Sequence, residues 1–173
     1  MYTNTEWDNS KTAAGVVVSD GTHAFVIHPD AESRSEYSKE SILIPGLCTT
    51  TDRNSAQTDF AGEANTATIL TAVADGIISE APAAQYCSGI TFAHGKTGYL
   101  PSAGELTLAY ANIDAINECL TTIAGTAFDL TGTTYWTSTQ ASDINSWNWN
   151  NAYRYVQTYS KFNARQVRAF SAL

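Results

Sequence analysis

Apolar residues gather in two short runs near the start of the chain. Residues 14–18 and 24–28 are rich in Val, Ile and Phe, and residues 19–22 between them are Ser-Asp-Gly-Thr. Short runs of β-branched and aromatic residues on either side of such a sequence are typical of a β-hairpin. The pattern therefore predicts a hairpin here, followed by a polar and irregular stretch over residues 29–60.

A helical period appears further along the chain. Apolar residues recur at helical spacing from about Gly62, which predicts a helix that ends before Pro82. Ser102 and Glu105 have the spacing of a capping box, in which each side chain satisfies a free amide of the other residue. A second helix is expected to begin there, with Asn112 capping its continuation to about residue 123.

The chain after this second helix is rich in Thr, Ser, Asn and Trp, and the aromatic residues between Tyr153 and Phe162 follow neither a strand nor a helix period. Residues 166–173 close the chain, where Val167 and Phe170 predict a last and partly buried strand. The order of hairpin, helix, helix, irregular segment and strand indicates the α+β class. With 173 residues and no evident linker, we expect one domain spanning residues 1–173.

The composition and net charge exclude several classes of protein. Hydrophobic residues make up 43% of the chain, which excludes wholesale disorder, and the formal net charge is −8. A protein that binds nucleic acid usually has the opposite charge, so no nucleic-acid partner is expected. Apolar runs are too short to cross a membrane, and residues 1–5 lack the basic and apolar regions of a secretion leader. The chain is then either used without that route or is a piece of a larger protein.

Metal and catalytic chemistry find no support in the sequence. His23 and His28 flank a predicted strand at a spacing that places them on opposite faces, whereas zinc needs converging ligands. Nucleophile elbows, phosphate loops and calcium loops are absent from the sequence. Three widely spaced cysteines favour reduced thiols, and the alternative is a single disulfide bridge between two of them. No enzyme activity, cofactor or metal is therefore expected.

The C-terminal part of the chain differs chemically from the rest. All 17 acidic residues lie within residues 1–143, whereas residues 144–173 hold four basic residues and no acidic one. Nine of the 19 aromatic residues lie between Tyr135 and the end. Tyr, Trp, Asn and Arg together are typical of a binding surface, because aromatic side chains give a large contact area at low entropic cost.

Three sequence blocks resemble a known family. They are residues 58–63 (TDFAGE), 98–105 (GYLPSAGE) and 136–140 (WTSTQ), followed by VRAF at 167–170. This combination resembles the C-type lectin-like proteins of gut Bacteroidetes and their phages, and more narrowly the variable proteins of diversity-generating retroelements. The resemblance implies a C-type lectin-like fold with paired terminal strands, two helices that flank a small sheet, and a long irregular segment that displays the ligand site.

The resemblance also implies a function. In such systems a reverse transcriptase misincorporates at adenines, so that Asn codons become codons for many other residues, and selection then acts on binding. The variable region would be about 136–173. Asn codons mutated at adenines cannot become Trp, Gln or Lys codons, so Trp147, Trp149, Gln157 and Lys161 would be constant scaffold. Asn145, Asn151 and Arg165 are borderline. The implied ligand-binding residues are Ala141, Asp143, Ile144, Asn148, Asn150, Ala152, Tyr153, Arg154, Tyr155, Thr158, Tyr159, Ser160, Phe162, Asn163 and Ala164.

The expected partner is a protein or glycan receptor on a cell surface, contacted from a phage tail tip or from a bacterial surface. Sugar-binding C-type lectins hold calcium with Glu-Pro-Asn or Gln-Pro-Asp and Trp-Asn-Asp triplets, which this chain lacks. Calcium-dependent sugar binding is therefore not expected. The alternative is a lectin-like adhesion domain of fixed sequence within a bacterial surface protein.

Overall fold

The computed structural model of the chain describes residues 6–8 and 10–173. Within this part, six strands form one sheet in the order β1-β2-β6-β3-β4-β5. The strands are β1 (Val16–Ser19), β2 (Ala24–Ser35), β3 (Thr134–Gln140), β4 (Asn145–Asn150), β5 (Tyr155–Ser160) and β6 (Arg165–Ala172). The predicted α+β class is confirmed. Of the single domain expected over residues 1–173, residues 1–5 and 9 lie outside the described part of the chain.

The predicted N-terminal hairpin is confirmed as β1 and β2, which pair antiparallel. Its turn is stabilised by Asp20, whose carboxylate accepts hydrogen bonds from the backbone amides of Thr22 and His23. Strand β2 continues to Ser35, so the expectation of an irregular stretch from residue 29 is wrong for its first part. Pairing with β6 keeps β2 extended. The C-terminal strand β6 therefore pairs with the second strand of the N-terminal hairpin, whereas β1 lies at the edge of the sheet, so the predicted direct pairing of the two terminal strands is wrong.

Five helices, not the predicted two, lie in the described part of the chain. They are α1 (Arg53–Gln57), α2 (Gly62–Ala74), α3 (Pro82–Ser88), α4 (Ala103–Ala111) and α5 (Ile113–Thr122). The capping box of Ser102 and Glu105 is present at the start of α4 as predicted. Asn112 separates α4 from α5, but its side chain bonds back to the carbonyl of Leu108 and makes no cap. Helices α1 and α3 span five and seven residues, too few to produce a periodic signal.

The sheet has a hydrophobic core on each face. Helices α4 and α5 cover one face, where Leu106 and Leu120 pack with Phe170. Helices α2 and α3 cover the other face, where Ile69 packs with Trp136. None of the described helices has the length and apolar character needed to cross a lipid bilayer.

The long irregular display segment is not observed, and that prediction is wrong. Residues 145–160 form the antiparallel pair β4 and β5 instead. Residues 146–150 of β4 do alternate between polar residues and Trp, but Asn is depleted in strands, so the composition of this stretch indicates a loop. In the fold both the Trp and the Asn and Ser side chains of β4 are buried. The predicted last strand is confirmed as β6.

Candidate ligand-binding surface

The three blocks that carry the family resemblance meet in one buried polar network. The Asp59 carboxylate accepts hydrogen bonds from the Asn65 amide at 2.8 Å and from the Thr139 hydroxyl at 2.7 Å. The Ser102 hydroxyl donates to the backbone carbonyl of Asp59 at 2.6 Å. Buried polar groups with complete hydrogen bonding hold a fold in one arrangement. The resemblance therefore rests on residues that build the scaffold and not on the ligand-binding surface.

Glu105 belongs to the same buried region. One carboxylate oxygen accepts the Ser102 amide at 2.8 Å, and the other accepts the Tyr99 hydroxyl at 3.0 Å. Burial raises the pKa of Glu105 to about 7, because removal from water outweighs the two hydrogen bonds that favour the carboxylate. The neighbouring Gly62 leaves no free space around this carboxylate. Both oxygens of the Glu105 carboxylate thus accept hydrogen bonds within the protein, and the side chain is buried where a substrate does not reach it.

Strand β4 anchors the binding surface to the core through its two tryptophans. Trp149 stacks on Tyr110 of α4 with ring centroids 4.4 Å apart, and the Trp147 indole donates to the carbonyl of Thr50 at 2.8 Å. Both tryptophans are buried, as is Lys161. Three of the four residues expected to be constant therefore have the burial that a scaffold role requires, and Gln157 is partly exposed.

Three of the proposed ligand-binding residues are buried, so the expectation that they face solvent is wrong. Ala141 packs in the core that α4 covers. Asn148 lies between Trp136 and Gln157 on the neighbouring strands and is 0% exposed. The Asn150 side chain accepts hydrogen bonds from the amides of residues 152 and 153, so it shapes the turn that follows β4. Strand pairing and packing in the core decide these burials.

The turn between β4 and β5 presents a first exposed group, here named the tip patch: Ala152, Tyr153, Arg154, Tyr155 and Arg53 of α1. Tyr153 is 63% exposed and stacks on Tyr155 with ring centroids 5.6 Å apart. The Arg53 guanidinium lies 4.1 Å from the Tyr155 ring centroid. Arg154 has a φ of 56°, in the left-handed region that favours glycine. Arg53 has no signal in the sequence that links it to this turn, because it lies far from Tyr155 along the chain and reaches it only through the fold.

The opposite end of β5 presents a second group, here named the edge patch: Asp143, Ile144, Thr158, Tyr159, Phe162 and Asn163, all exposed. The amide of Lys161 donates to the carbonyl of Ile144 at 2.9 Å, which places the β3–β4 turn beside the segment after β5. Ser160 and Ala164 are partly exposed and lie in the same stretch. Twelve proposed residues are thus fully or partly exposed, distributed between the two ends of one edge strand.

Buried Lys161 hydrogen-bonds to the loop that contains Ile42 and Leu43 and holds this loop beside the edge patch. Its ammonium donates to the carbonyl of Ile42 and to the side chain of Gln140, each at 2.7 Å. Burial lowers the pKa of Lys161 to about 8. The bond to Ile42 holds Ile42 and Leu43, which are 37% and 51% exposed, beside the edge patch. An exposed Ile-Leu pair has no signal in the sequence that would distinguish it from core.

Titratable groups outside this surface have ordinary structural surroundings. His23 stacks on Phe60 at 3.7 Å between ring centroids, and His28 meets Phe92 edge-on. All three cysteines are free, with Cys87 buried and Cys48 and Cys119 partly exposed. Burial raises the pKa of Cys48 to about 11. Among the described residues, no group of three or more His, Cys, Asp and Glu side chains is placed to hold a metal ion.

Comparison with solved structures identifies a similar fold. The chain is similar to part of a fimbrial protein from Bacteroides ovatus ATCC 8483, with a TM-score of 0.67 and 16% sequence identity. The match covers 87% of this chain but only 36% of the fimbrial protein, so this chain spans about a third of its length. No family model and no curated protein matches the sequence. At this identity the likeness establishes the fold alone.

Proposed function

We propose that this chain is a non-enzymatic binding protein of the bacterial cell surface, which contacts a protein or glycan receptor through the tip patch and the edge patch. One observation carries the proposal: the exposed Tyr, Phe, Ile and Arg side chains of one edge strand and its turns stand on a scaffold of buried tryptophans. The fimbrial protein with a similar fold supports a surface role.

The chemistry of the two patches suits a receptor contact. Tyr153, Tyr155 and Phe162 offer large side chains with few rotatable bonds, so little entropy is lost when they become buried at an interface. Arg53 and Arg154 add positive charge in a chain whose overall charge is −8. We therefore expect a neutral or anionic receptor surface, and we expect single-stranded nucleic acid not to compete for it.

The finer form of the proposal is a C-type lectin-like variable protein, diversified by a retroelement. The burial of Trp147, Trp149 and Lys161 and the exposure of most implied variable positions support this form. The burial of Ala141, Asn148 and Asn150 removes those three from the expected contact set. Display on a phage tail tip is the alternative location. The fimbrial neighbour favours the second candidate function, a lectin-like adhesion domain of fixed sequence.

Deep sequencing of the 3′ end of the gene across a natural population separates these two forms. A diversified protein should show substitutions that arise from adenines and concentrate in the tip and edge patches. Trp147, Trp149 and Lys161 should stay constant. Substitutions spread evenly along the gene, or none at all, would exclude diversification and leave the fixed adhesion domain.

A binding assay tests the surface itself. The labelled chain would be applied to intact cells and to arrays of surface glycans and proteins. Tyr153→Ser and Phe162→Ser should each reduce binding by about tenfold or more, because interface aromatics carry a large share of binding energy. Ile77→Ser, at an apolar side chain that is 38% exposed outside both patches, is the matched control and should bind normally. Equal loss in all three variants would contradict the proposed surface.

A further inference from the structure

A polar cleft opens at the end of the sheet where β2 finishes and β3 and β6 begin. Its volume is about 480 Å³, within the range of small-molecule sites, and residues 131–134 and 164–166 form its walls together with Arg34. The amide of Asn151 donates to the carbonyl of Thr133 at 3.1 Å, so the cleft adjoins the turn that carries the tip patch.

Two arginines stand side by side in one wall of the cleft. The Arg34 Nε and the Arg165 Nη1 both donate to the carbonyl of Ala164, at 3.4 and 3.3 Å. The Arg165 guanidinium stacks on the Tyr159 ring at 3.9 Å, and its Nε is buried without a hydrogen-bond partner among the described residues. None of the four ion pairs in the described part of the chain involves either arginine. Neither guanidinium therefore has a carboxylate within ion-pair distance in the described part of the chain, which leaves both able to bind an anionic group.

Two threonines that line the cleft, Thr131 and Thr133, offer hydroxyl oxygens as acceptors. Both hydroxyls donate to the carboxylate of Asp129. A hydroxyl whose hydrogen is used in this way keeps its oxygen lone pairs for donors from outside. A ligand that matches this lining carries a carboxylate for the arginines and hydroxyl groups that donate to the threonines.

We propose that this cleft binds a sugar acid, with its carboxylate on Arg34 and Arg165 and its ring hydroxyls on Thr131 and Thr133. The proposal deepens the proposed function and rests on it, since it names an anionic surface glycan as the receptor class. A free sugar acid and a sugar-acid residue of a polysaccharide share this chemistry.

Titration calorimetry with D-glucuronate and with polygalacturonate on the full chain tests the proposal. Saturable binding of glucuronate is expected, with no binding of glucose. Arg34→Gln should weaken it by about tenfold or more, because a charge-assisted hydrogen bond is lost. Thr131→Val should weaken it by about threefold or more, because it removes a hydroxyl acceptor. Lys96→Gln, which removes an exposed positive charge elsewhere, is the matched control and should bind as the unchanged chain does. Arg34 and Thr131 are both exposed, so melting temperatures should confirm that these variants fold.

The outcomes separate the possibilities. Binding of polygalacturonate and glucuronate would support a polysaccharide source, and binding of glucuronate alone would support a free sugar acid. Absence of binding by both probes would overturn the proposal, as would acetate binding as tightly as glucuronate or an equal loss in Lys96→Gln. Ile77→Ser, outside both patches and the cleft, should leave glucuronate binding intact. Because Arg34 and Thr131 belong to neither patch, loss of receptor binding in the patch variants and loss of glucuronate binding in the cleft variants are distinguishable.

Discussion

Substitution of Glu105 by Gln tests whether the titration of this buried carboxylate makes the free energy of unfolding depend on pH. Gln has nearly the same shape, and its carbonyl oxygen can still accept the Ser102 amide. Its amide group can donate to the Tyr99 hydroxyl in place of the hydrogen bond that Tyr99 now donates to Glu105. The variant should therefore keep the helix cap and lose only the titration.

The magnitude follows from the shifted pKa. Burial raises the pKa of Glu105 from 4.5 to about 7, and each pKa unit corresponds to about 1.4 kcal/mol. The folded state holds this proton more tightly than the unfolded chain does. The resulting stability is fully present below pH 4.5 and is lost as the pH rises through 7. The unchanged chain should thus lose roughly 3 kcal/mol more than Glu105→Gln over this interval.

Urea unfolding followed by tryptophan fluorescence between pH 4.5 and pH 8 measures this difference. Thermal melts should show it as a shift of about 6–12 °C for a chain of this size. Glu118→Gln, at an exposed glutamate on α5, is the matched control and should follow the unchanged chain at every pH. Parallel stability curves for Glu105→Gln and the unchanged chain would refute the argument.

Three further changes test other parts of the structure. Gly62→Ala places a methyl group against the Glu105 carboxylate, so the melting temperature should fall by an amount equivalent to about 1–3 kcal/mol, although Ala normally favours a helix; an unchanged melting temperature would contradict this packing. Arg154→Gly relieves a left-handed backbone, so urea unfolding should show a gain of roughly 0.5–1 kcal/mol while receptor binding weakens; a loss of stability would argue against the strain. Lys161→Met removes a side chain whose pKa burial lowers from 10.5 to about 8. The unchanged chain should gain stability as the pH rises between these two values, and Lys161→Met should not. A gain that persists in the variant would assign it to another group.

The fold was predictable where the signal was local. Residues 19–22 specified a hairpin turn, and Ser102 with Glu105 specified a helix start, because both depend on hydrogen bonds within a few residues. Helix α1 was not predictable, since five residues show no period. Strands β4 and β5 were missed because Asn and Ser are depleted in strands and common in loops, although residues 146–150 alternate between polar residues and Trp.

The candidate site divides in the same way. The sequence by itself determined its location in the C-terminal segment, through a concentration of Tyr, Trp, Asn and Arg that no local folding rule requires. Tertiary structure alone decided which of those residues are exposed. It also added Arg53, Ile42 and Leu43 from distant segments and brought Arg34 beside Arg165. Composition is a property of the chain, whereas exposure and proximity depend on contacts between residues distant in sequence, such as Arg34 and Ala164, which are 130 positions apart and meet only after the strands have paired.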